Sequence, residues 1–337
     1  MHSAIELPVD KFTATLPPPD LLSLGAPVLI ANPLADACEW ANVEWVRRFH
    51  LADEPRVWAK MARTRPAVLA ANCYRTAPLD ALTLGADLIA WLFLFDDGQG
   101  EGVEVSRMAQ LFDGYEQVLS NGTLPRDAGP LHVALADLRR RMLAMSGPAW
   151  LDRFELSMRQ YFDGCLLEVP YRDSGRSPSL RNYRLLRSWS IGTFPVLDLI
   201  EPSLGATLPN EVVEQSAWRE LRELAVQLCA WTNDIYSYNK ECGERDPINL
   251  VQVMRHEHDI DAEAGRMAAI RVYQADLARF GVLRARYDAA PGTSAIERAY
   301  SRSLEDWIWG NVAWSQATVR YRSAQTVTAG SAWNHVQ

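Results

Sequence analysis

The 337-residue chain has 48% hydrophobic and 23% charged residues, an ordinary globular composition with ample core material. Its formal charge of −8 argues against a nucleic-acid binder, whose footprint is a basic face. An anionic small ligand would therefore need metal ions or a local Arg/Lys cluster, and no uncharged apolar run approaches the roughly 18 residues of a membrane span.

Residues 1–33 are rich in proline, with Pro17-Pro18-Pro19 in a row, and read as an extended arm lying on a domain that occupies 34–337. The opening MHSAIELPVDKF carries acids and no apolar core, so no secretory signal is expected there. Cys38, Cys73, Cys165, Cys229 and Cys242 are scattered without a CxxC spacing and read as reduced thiols of a cytoplasmic protein.

CEWANVEWVRRF places Trp40, Val43, Trp45 and Val46 near a 3.6-residue period, the mark of an amphipathic helix. Pro78 opens a second helix, LDALTLGADLIAWLFLF, which is apolar all round, hence buried, and is expected to end in the acidic loop that follows. LHVALADLRRRMLAM and WLDRFELSMRQYFDGCLLEV continue the helical pattern. SLRNYRLLRSWSIGTF, capped by Ser177 or Ser179, should run toward Ile200 with a kink near Gly192 and Pro195.

Three more helices fit 216–243, 261–287 and Ser294 to about Ser323, the last with Trp307, Trp314 and Tyr321 at helical spacing. RHEHDID, with His256 and His258, reads as a solvated loop. No alternating strand pair, fixed repeat or domain linker interrupts this, so the expected fold is all-α, a single helical domain.

Two acidic elements stand out. Asp96 and Asp97 follow the oily run WLFLF, and Glu101 comes four positions after Asp97; carboxylates at a helix C-terminus oppose its dipole, which hints at a cation. TNDIYSYNKE puts Asn233, Ser237 and Glu241 at i, i+4 and i+8, on one helical face along about 12 Å of axis. Amide, hydroxyl and carboxylate oxygens form a hard donor set that suits Mg²⁺, although polar residues at this spacing also make plain solvated faces. The EF-hand pattern is absent, and the glycines of GQGEG open no phosphate-cradling helix.

Taken together, these elements resemble bacterial-type class I terpene synthases. Asp96-Asp97-Gly-Gln-Gly-Glu101 resembles the family's aspartate-rich motif in its DDxxxE variant, and residues 233–241 its NDxxSxxKE triad, followed by DPINLV. Arg320-Tyr321 looks like the family's Arg-Tyr pair, and Arg187, 46 positions before Asn233, its diphosphate-sensing arginine. The likeness spans about residues 30 to 325.

The resemblance implies a helical bundle around a central hydrophobic pocket and three Mg²⁺ ions, held by Asp96 and by Asn233, Ser237 and Glu241, with Glu101 a weaker candidate. Asp97 would pair with Arg320. Arg187, Lys240, Arg320 and Tyr321 would bind the substrate diphosphate. Ser190, Ile191 and Gly192 would form the linker and effector positions. Phe93, Trp307 and Trp314 are the first candidates for an aromatic pocket wall, with Phe95, Trp189, Phe194 and Trp231 next; ordinary core packing is the competing reading for each.

The implied reaction is ionisation and cyclisation of farnesyl diphosphate, with geranyl diphosphate the alternative and geranylgeranyl diphosphate last, possible pairing of copies into a homodimer, and no nucleic-acid partner. A prenyl diphosphate synthase would carry a second DDxxD, a class II cyclase a DxDD; neither is present. A non-catalytic helical scaffold leaves the register of these motifs to coincidence.

Overall fold

The computed structural model describes residues 16, 17, 19–99, 105–244 and 246–321, and among these there are helices and no strand. In chain order the helices are α1 (Ala35–Arg48), α2 (Pro55–Thr64), α3 (Pro66–Cys73), α4 (Leu79–Gln99), α5 (Val105–Asn121), α6 (Pro130–Ser146) and α7 (Pro148–Ser174). There follow α8 (Leu180–Ser190), α9 (Thr193–Asp198), α10 (Ile200–Ser203), α11 (Asn210–Val213), α12 (Ser216–Glu244), α13 (Leu250–His258), α14 (Ala262–Ala289) and α15 (Ala295–Ala317).

Burial follows the apolar patterning. Leu82, Leu84, Ala86, Leu88 and Trp91 of α4 are fully buried, as are Leu221, Ala225, Leu228 and Trp231 of α12. A helix that is apolar on every side needs neighbours on every side. Accordingly α4 packs on α1, α3 and α6, α12 on α8, α14 and α15, and α15 closes the ring against α3. Trp91, Phe95, Phe112, Tyr115 and Phe162 interlock between α4, α5 and α7, with ring centroids 4.5–6.3 Å apart, and fix one side of the bundle.

Several elements differ from the sequence reading. Helices α2 and α3, to which the sequence reading assigned nothing, open on Pro55 and Pro66, in the first turn where a missing N–H costs nothing. Helix α4 runs past Asp96 and Asp97 to Gln99, so both carboxylates sit in its last turn rather than in a loop.

RHEHDID is not a loop at its start. His256 and His258 end α13, whose N-cap Asn249 accepts from Val251 N, and His256 Nδ1 lies 2.9 Å from Ser177 Oγ. The span from Ser179 to Ile200 is three pieces, capped at Ser179 and broken at Gly192, whose φ of 70° is left-handed. Finally α15 stops at Ala317, which leaves Arg320 and Tyr321 beyond the helix.

The arm is described from Leu16 onward, apart from Pro18. Leu16 N donates to Asn239 Oδ1 at 3.0 Å and Asn239 Nδ2 returns a bond to Leu16 O at 2.8 Å, which seats the arm on α12. Residues 22–24 form one 3₁₀ turn. No described helix is long and apolar enough to cross a membrane.

Candidate active site

Helices α3, α4, α7, α8, α9, α12 and α15 enclose a cavity of about 600 Å³. Along α4 its wall runs from Ile89 through Leu92 and Phe93 to Asp96 and Asp97, about 10 Å of helix from oil to carboxylate. Along α12 it runs from Cys229 through Asn233 to Lys240 and Glu241. The two long helices thus present apolar side chains at one end of a shared space and oxygens at the other.

Asp97 does not present a free carboxylate. Arg320 grips it with two nitrogens, each 2.9 Å from a different oxygen, and Lys60 of α2 adds a third contact at 2.9 Å. Burial alone would push its carboxyl up, but Arg320 and then Lys60 outweigh that and hold it below the usual carboxylate range. Asp96 is different: its side chain is 65% exposed and its ion pair with Arg320 spans 3.9 Å. Its oxygens are available to a cation. Glu101 lies outside the described residues.

On α12 the second oxygen set is partly engaged. Asn233 Oδ1 accepts from Arg187 Nη2 at 2.9 Å, and Asn233 Nδ2 donates to Tyr321 Oη at 2.7 Å. Glu241 accepts from Asn249 Nδ2 at 2.8 Å. Burial, then the nearby Asp246, pushes the Glu241 carboxyl up, a cost that a cation beside it would relieve. Ser237 Oγ is buried without a well-formed hydrogen bond, close to that carboxyl.

A buried hydroxyl beside a carboxylate and an amide oxygen suits a hard cation. Among the described residues no group of three or more His, Cys, Asp or Glu is arranged to hold a metal ion by itself. The fit is therefore to a cation that completes its sphere with water and substrate oxygens, as Mg²⁺ does, and not to a protein-only cage.

Arg187, buried on α8, donates to Asp234 Oδ1 through Nε (3.1 Å) and Nη2 (2.9 Å) as well as to Asn233. Asp234 is fixed in turn by Leu250 N at 2.8 Å. A second layer surrounds this fork. Glu168 and Arg172, one turn apart on α7, pair at 2.8 Å; Arg172 reaches Asp246 at 3.2 Å; Asn249 bonds both Asp234 O and Glu241. The segment DPINL thus clasps the acidic end of α12.

Arg320 and Tyr321 are the joint between the two acidic elements. After α15 the chain turns at Thr318, whose Oγ1 accepts from Arg320 N at 3.2 Å. Arg320 then reaches Asp97 on α4 while the next residue, Tyr321, reaches Asn233 on α12. One dipeptide spans the cavity's polar end.

Among the aromatic candidates, Phe93, Trp307 and Trp314 line the cavity. Phe93 stacks on Trp314 at 5.6 Å, the Arg320 guanidinium lies 4.6 Å over Phe93, and Tyr321 meets Trp314 edge-on at 5.8 Å. Ser190, Ile191 and Gly192 line it at the α8–α9 break.

Trp189 and Phe194 do not line it; Phe194 lies under Arg222 instead. Phe95 belongs to the interlocked rings behind α4, and Trp231 donates to Asp276 and stacks on Tyr183, so both are framework.

The sequence reading passed over Lys60, Tyr161, Glu168, Arg172, Asp246 and Asn249. Asp246 and Asn249 stood in the quoted DPINLV. The others carried no signal, because a Glu-Arg pair at i,i+4 is indistinguishable from a solvated one.

Comparison with known proteins agrees with this geometry. A family model described as terpene synthase family 2, C-terminal metal binding, matches residues 87–279. The chain is 33% identical over 298 residues to (+)-T-muurolol synthase ((2E,6E)-farnesyl diphosphate cyclizing) of Roseiflexus castenholzii, covering 86% of this chain and 90% of that protein. It is 31% identical to (−)-delta-cadinene synthase of Streptomyces clavuligerus, covering 88% and 94%.

The crystal structure of germacradien-4-ol synthase from Streptomyces citricolor has the same fold, with a TM-score of 0.76 at 24% identity over 88% of this chain and 98% of that one. A metal-binding family model across both acidic elements, relatives matched nearly end to end and a shared fold lead to one conclusion: the chain belongs to terpene synthase family 2.

Proposed function

We propose that the protein ionises and cyclises farnesyl diphosphate, with Mg²⁺ as cofactor, and releases a sesquiterpene and diphosphate. The observation that carries this reading is the Arg320-Tyr321 dipeptide, which ties the Asp96/Asp97 turn to the Asn233 face at the polar end of a cavity whose other end is apolar. Farnesyl diphosphate is preferred over geranyl diphosphate because the (+)-T-muurolol synthase relative is by name a farnesyl diphosphate cyclase. The free state of all five cysteines supports the cytoplasmic location.

Asp96 on one side and Asn233, Ser237 and Glu241 on the other would hold the metal, three ions being the number that the family resemblance implies. Mg²⁺, when bound, supplies the positive charge that makes diphosphate a competent leaving group. The chain's own residues do the rest. Arg187, Lys240, Arg320 and Tyr321 donate hydrogen bonds to the diphosphate oxygens as the allylic C–O bond breaks and its electron pair leaves with the phosphate. Arg187 is poised for this because Asp234 and Asn233 fix its plane before substrate arrives.

The cation left behind faces Phe93, Trp307 and Trp314, whose ring quadrupoles favour positive charge. Buried Ile89, Leu69 and Val196 keep bulk water out until the cation loses a proton or captures one water.

The test is incubation of purified protein with geranyl, farnesyl and geranylgeranyl diphosphate, with and without Mg²⁺, followed by gas chromatography–mass spectrometry. A cyclic C15 product formed only with farnesyl diphosphate and Mg²⁺ is expected. A C10 product in excess of C15 would move the assignment to the monoterpene reading, and intact diphosphate in every tube would refute both.

A further inference from the structure

Three successive carbonyls at the end of α9 are held from outside the helix. Tyr74 Oη donates to Val196 O at 2.5 Å, Tyr300 Oη to Leu197 O at 3.0 Å and Trp150 Nε1 to Asp198 O at 3.3 Å. The donors come from the C-cap of α3, from α15 and from α7, and each is at most 3% exposed. One cause is visible in the sequence: Pro202, four residues after Asp198, has no N–H, so Asp198 O lacks its intrahelical donor. A buried carbonyl must find another partner, and here the partners are side chains.

The held segment is part of the cavity. Thr193 and Val196 of α9 line it, and Gly192 at the near end lies in the left-handed region. Tyr74 is not among the residues that line this cavity, yet it joins two pieces of the wall. Its hydroxyl holds Val196, and its ring meets Trp307 edge-on at 5.1 Å and 81°. Gly85 of α4 makes the room: a Cβ there would stand 2.5 Å from Tyr74 Cε2.

We propose that Tyr74, Tyr300 and Trp150 form a carbonyl clamp that fixes the α9 wall, and that Tyr74 is a positioning residue for product specificity. The proposal rests on the cyclase reading above. A cation folded against a wall partitions among products according to which carbons face each other, and a displacement near 1 Å can change a rate on the order of 10²-fold. With its far end pinned, α9 can yield only at Gly192, so the clamp sets where Val196 stands.

Tyr74→Phe removes the hydroxyl and keeps the ring. Products from farnesyl diphosphate are quantified for the wild type, Tyr74→Phe, Tyr300→Phe and a control, Tyr183→Phe, whose buried hydroxyl holds no carbonyl. In Tyr74→Phe the ratio of main product to side products should fall about tenfold, the factor that ~1.4 kcal/mol of differential barrier gives. KM should stay within about twofold, because no clamp residue touches the diphosphate end. Tyr300→Phe should change the ratio in the same sense and Tyr183→Phe should leave it as it is.

An unchanged ratio in folded Tyr74→Phe, or an equal change in Tyr183→Phe, overturns the clamp. If Tyr74→Phe does not fold, Trp150→Phe, which removes the donor to Asp198 O, carries the same expectation and the same refutation. A wild type that consumes no farnesyl diphosphate refutes the cyclase reading itself, and the clamp's role in specificity with it.

Discussion

Replacing Arg187 by lysine keeps the charge and removes the fork, so it separates the two. In the structure Nε and Nη2 both bind Asp234 Oδ1, and Nη2 also binds Asn233 Oδ1. A lysine has one nitrogen and can keep one of these three contacts well. Each hydrogen bond to a charged group is worth about 1.5–3 kcal/mol, so the two lost bonds set an upper bound of about 3–6 kcal/mol.

The retained ammonium recovers part of this by shifting toward Asp234, which leaves about 3 kcal/mol and a fall of about 10² in kcat/KM. The fold should survive, because Asp234 keeps the Leu250 N–H bond at 2.8 Å. The assay is steady-state diphosphate release at subsaturating substrate, with circular dichroism and a thermal melt on the same sample. Activity within about fivefold of wild type, with the melt unchanged, would show that charge alone suffices and that the fork has no part in triggering ionisation.

Asn233→Ala removes the Arg187 and Tyr321 contacts together with an oxygen proposed to hold the metal, and should lower kcat/KM by about 10²-fold or more while raising the Mg²⁺ concentration needed for half-activity. Asp97 should depend far more on Arg320 than on Lys60: the Arg320 side chain is 6% exposed and the Lys60 side chain 42%. Arg320→Gln is expected to cost about 3–5 kcal/mol in denaturant unfolding, and Lys60→Met about 1 kcal/mol or less; equal costs would refute this ordering.

Asp87 gives a pH dependence away from the candidate site. Burial, only partly offset by Arg141 and Asn42, pushes its carboxyl up to about 6 from 3.8. The folded protein then holds a proton that the unfolded chain has lost, so stability falls as pH rises from about 4 to about 6. At ~1.4 kcal/mol per pH unit the loss is on the order of 3 kcal/mol. Unfolding free energies of wild type and Asp87→Asn across this window should diverge by that amount, and parallel profiles would show that Arg141 keeps Asp87 ionised.

The parts of the site that were legible in the sequence are those where geometry is local. Asn233, Ser237 and Glu241 share a helix, so their common face follows from the 3.6-residue period alone. The apolar character of α4 likewise announced burial before any contact was known. What was not legible depends on where chains separated in sequence meet. Arg320 and Tyr321 were expected on a continuing helix, and nothing local marks the turn at Thr318 that lets them bridge Asp97 and Asn233.

Trp189 and Phe194 flank the break at Gly192, where the helical phase of one piece no longer predicts the face of the next. Lys60 and Arg172 look like any surface cation until Lys60 meets Asp97 across α2 and α4 and Arg172 meets the cavity from α7. Helices α2 and α3 went unassigned, although Pro55 and Pro66 stand in their first turns, where proline is favoured.

The central claim is that two acidic faces and one basic dipeptide share a single metal–diphosphate site. The most direct measurement is a crystal structure of the protein soaked with Mn²⁺ and inorganic diphosphate, with the metal located by anomalous scattering. The account predicts metal density both at Asp96 and at Asn233, Ser237 and Glu241, with diphosphate between them in contact with Arg187, Lys240, Arg320 and Tyr321. Metal bound at sites away from both faces, or diphosphate lodged on the outer surface, would contradict it.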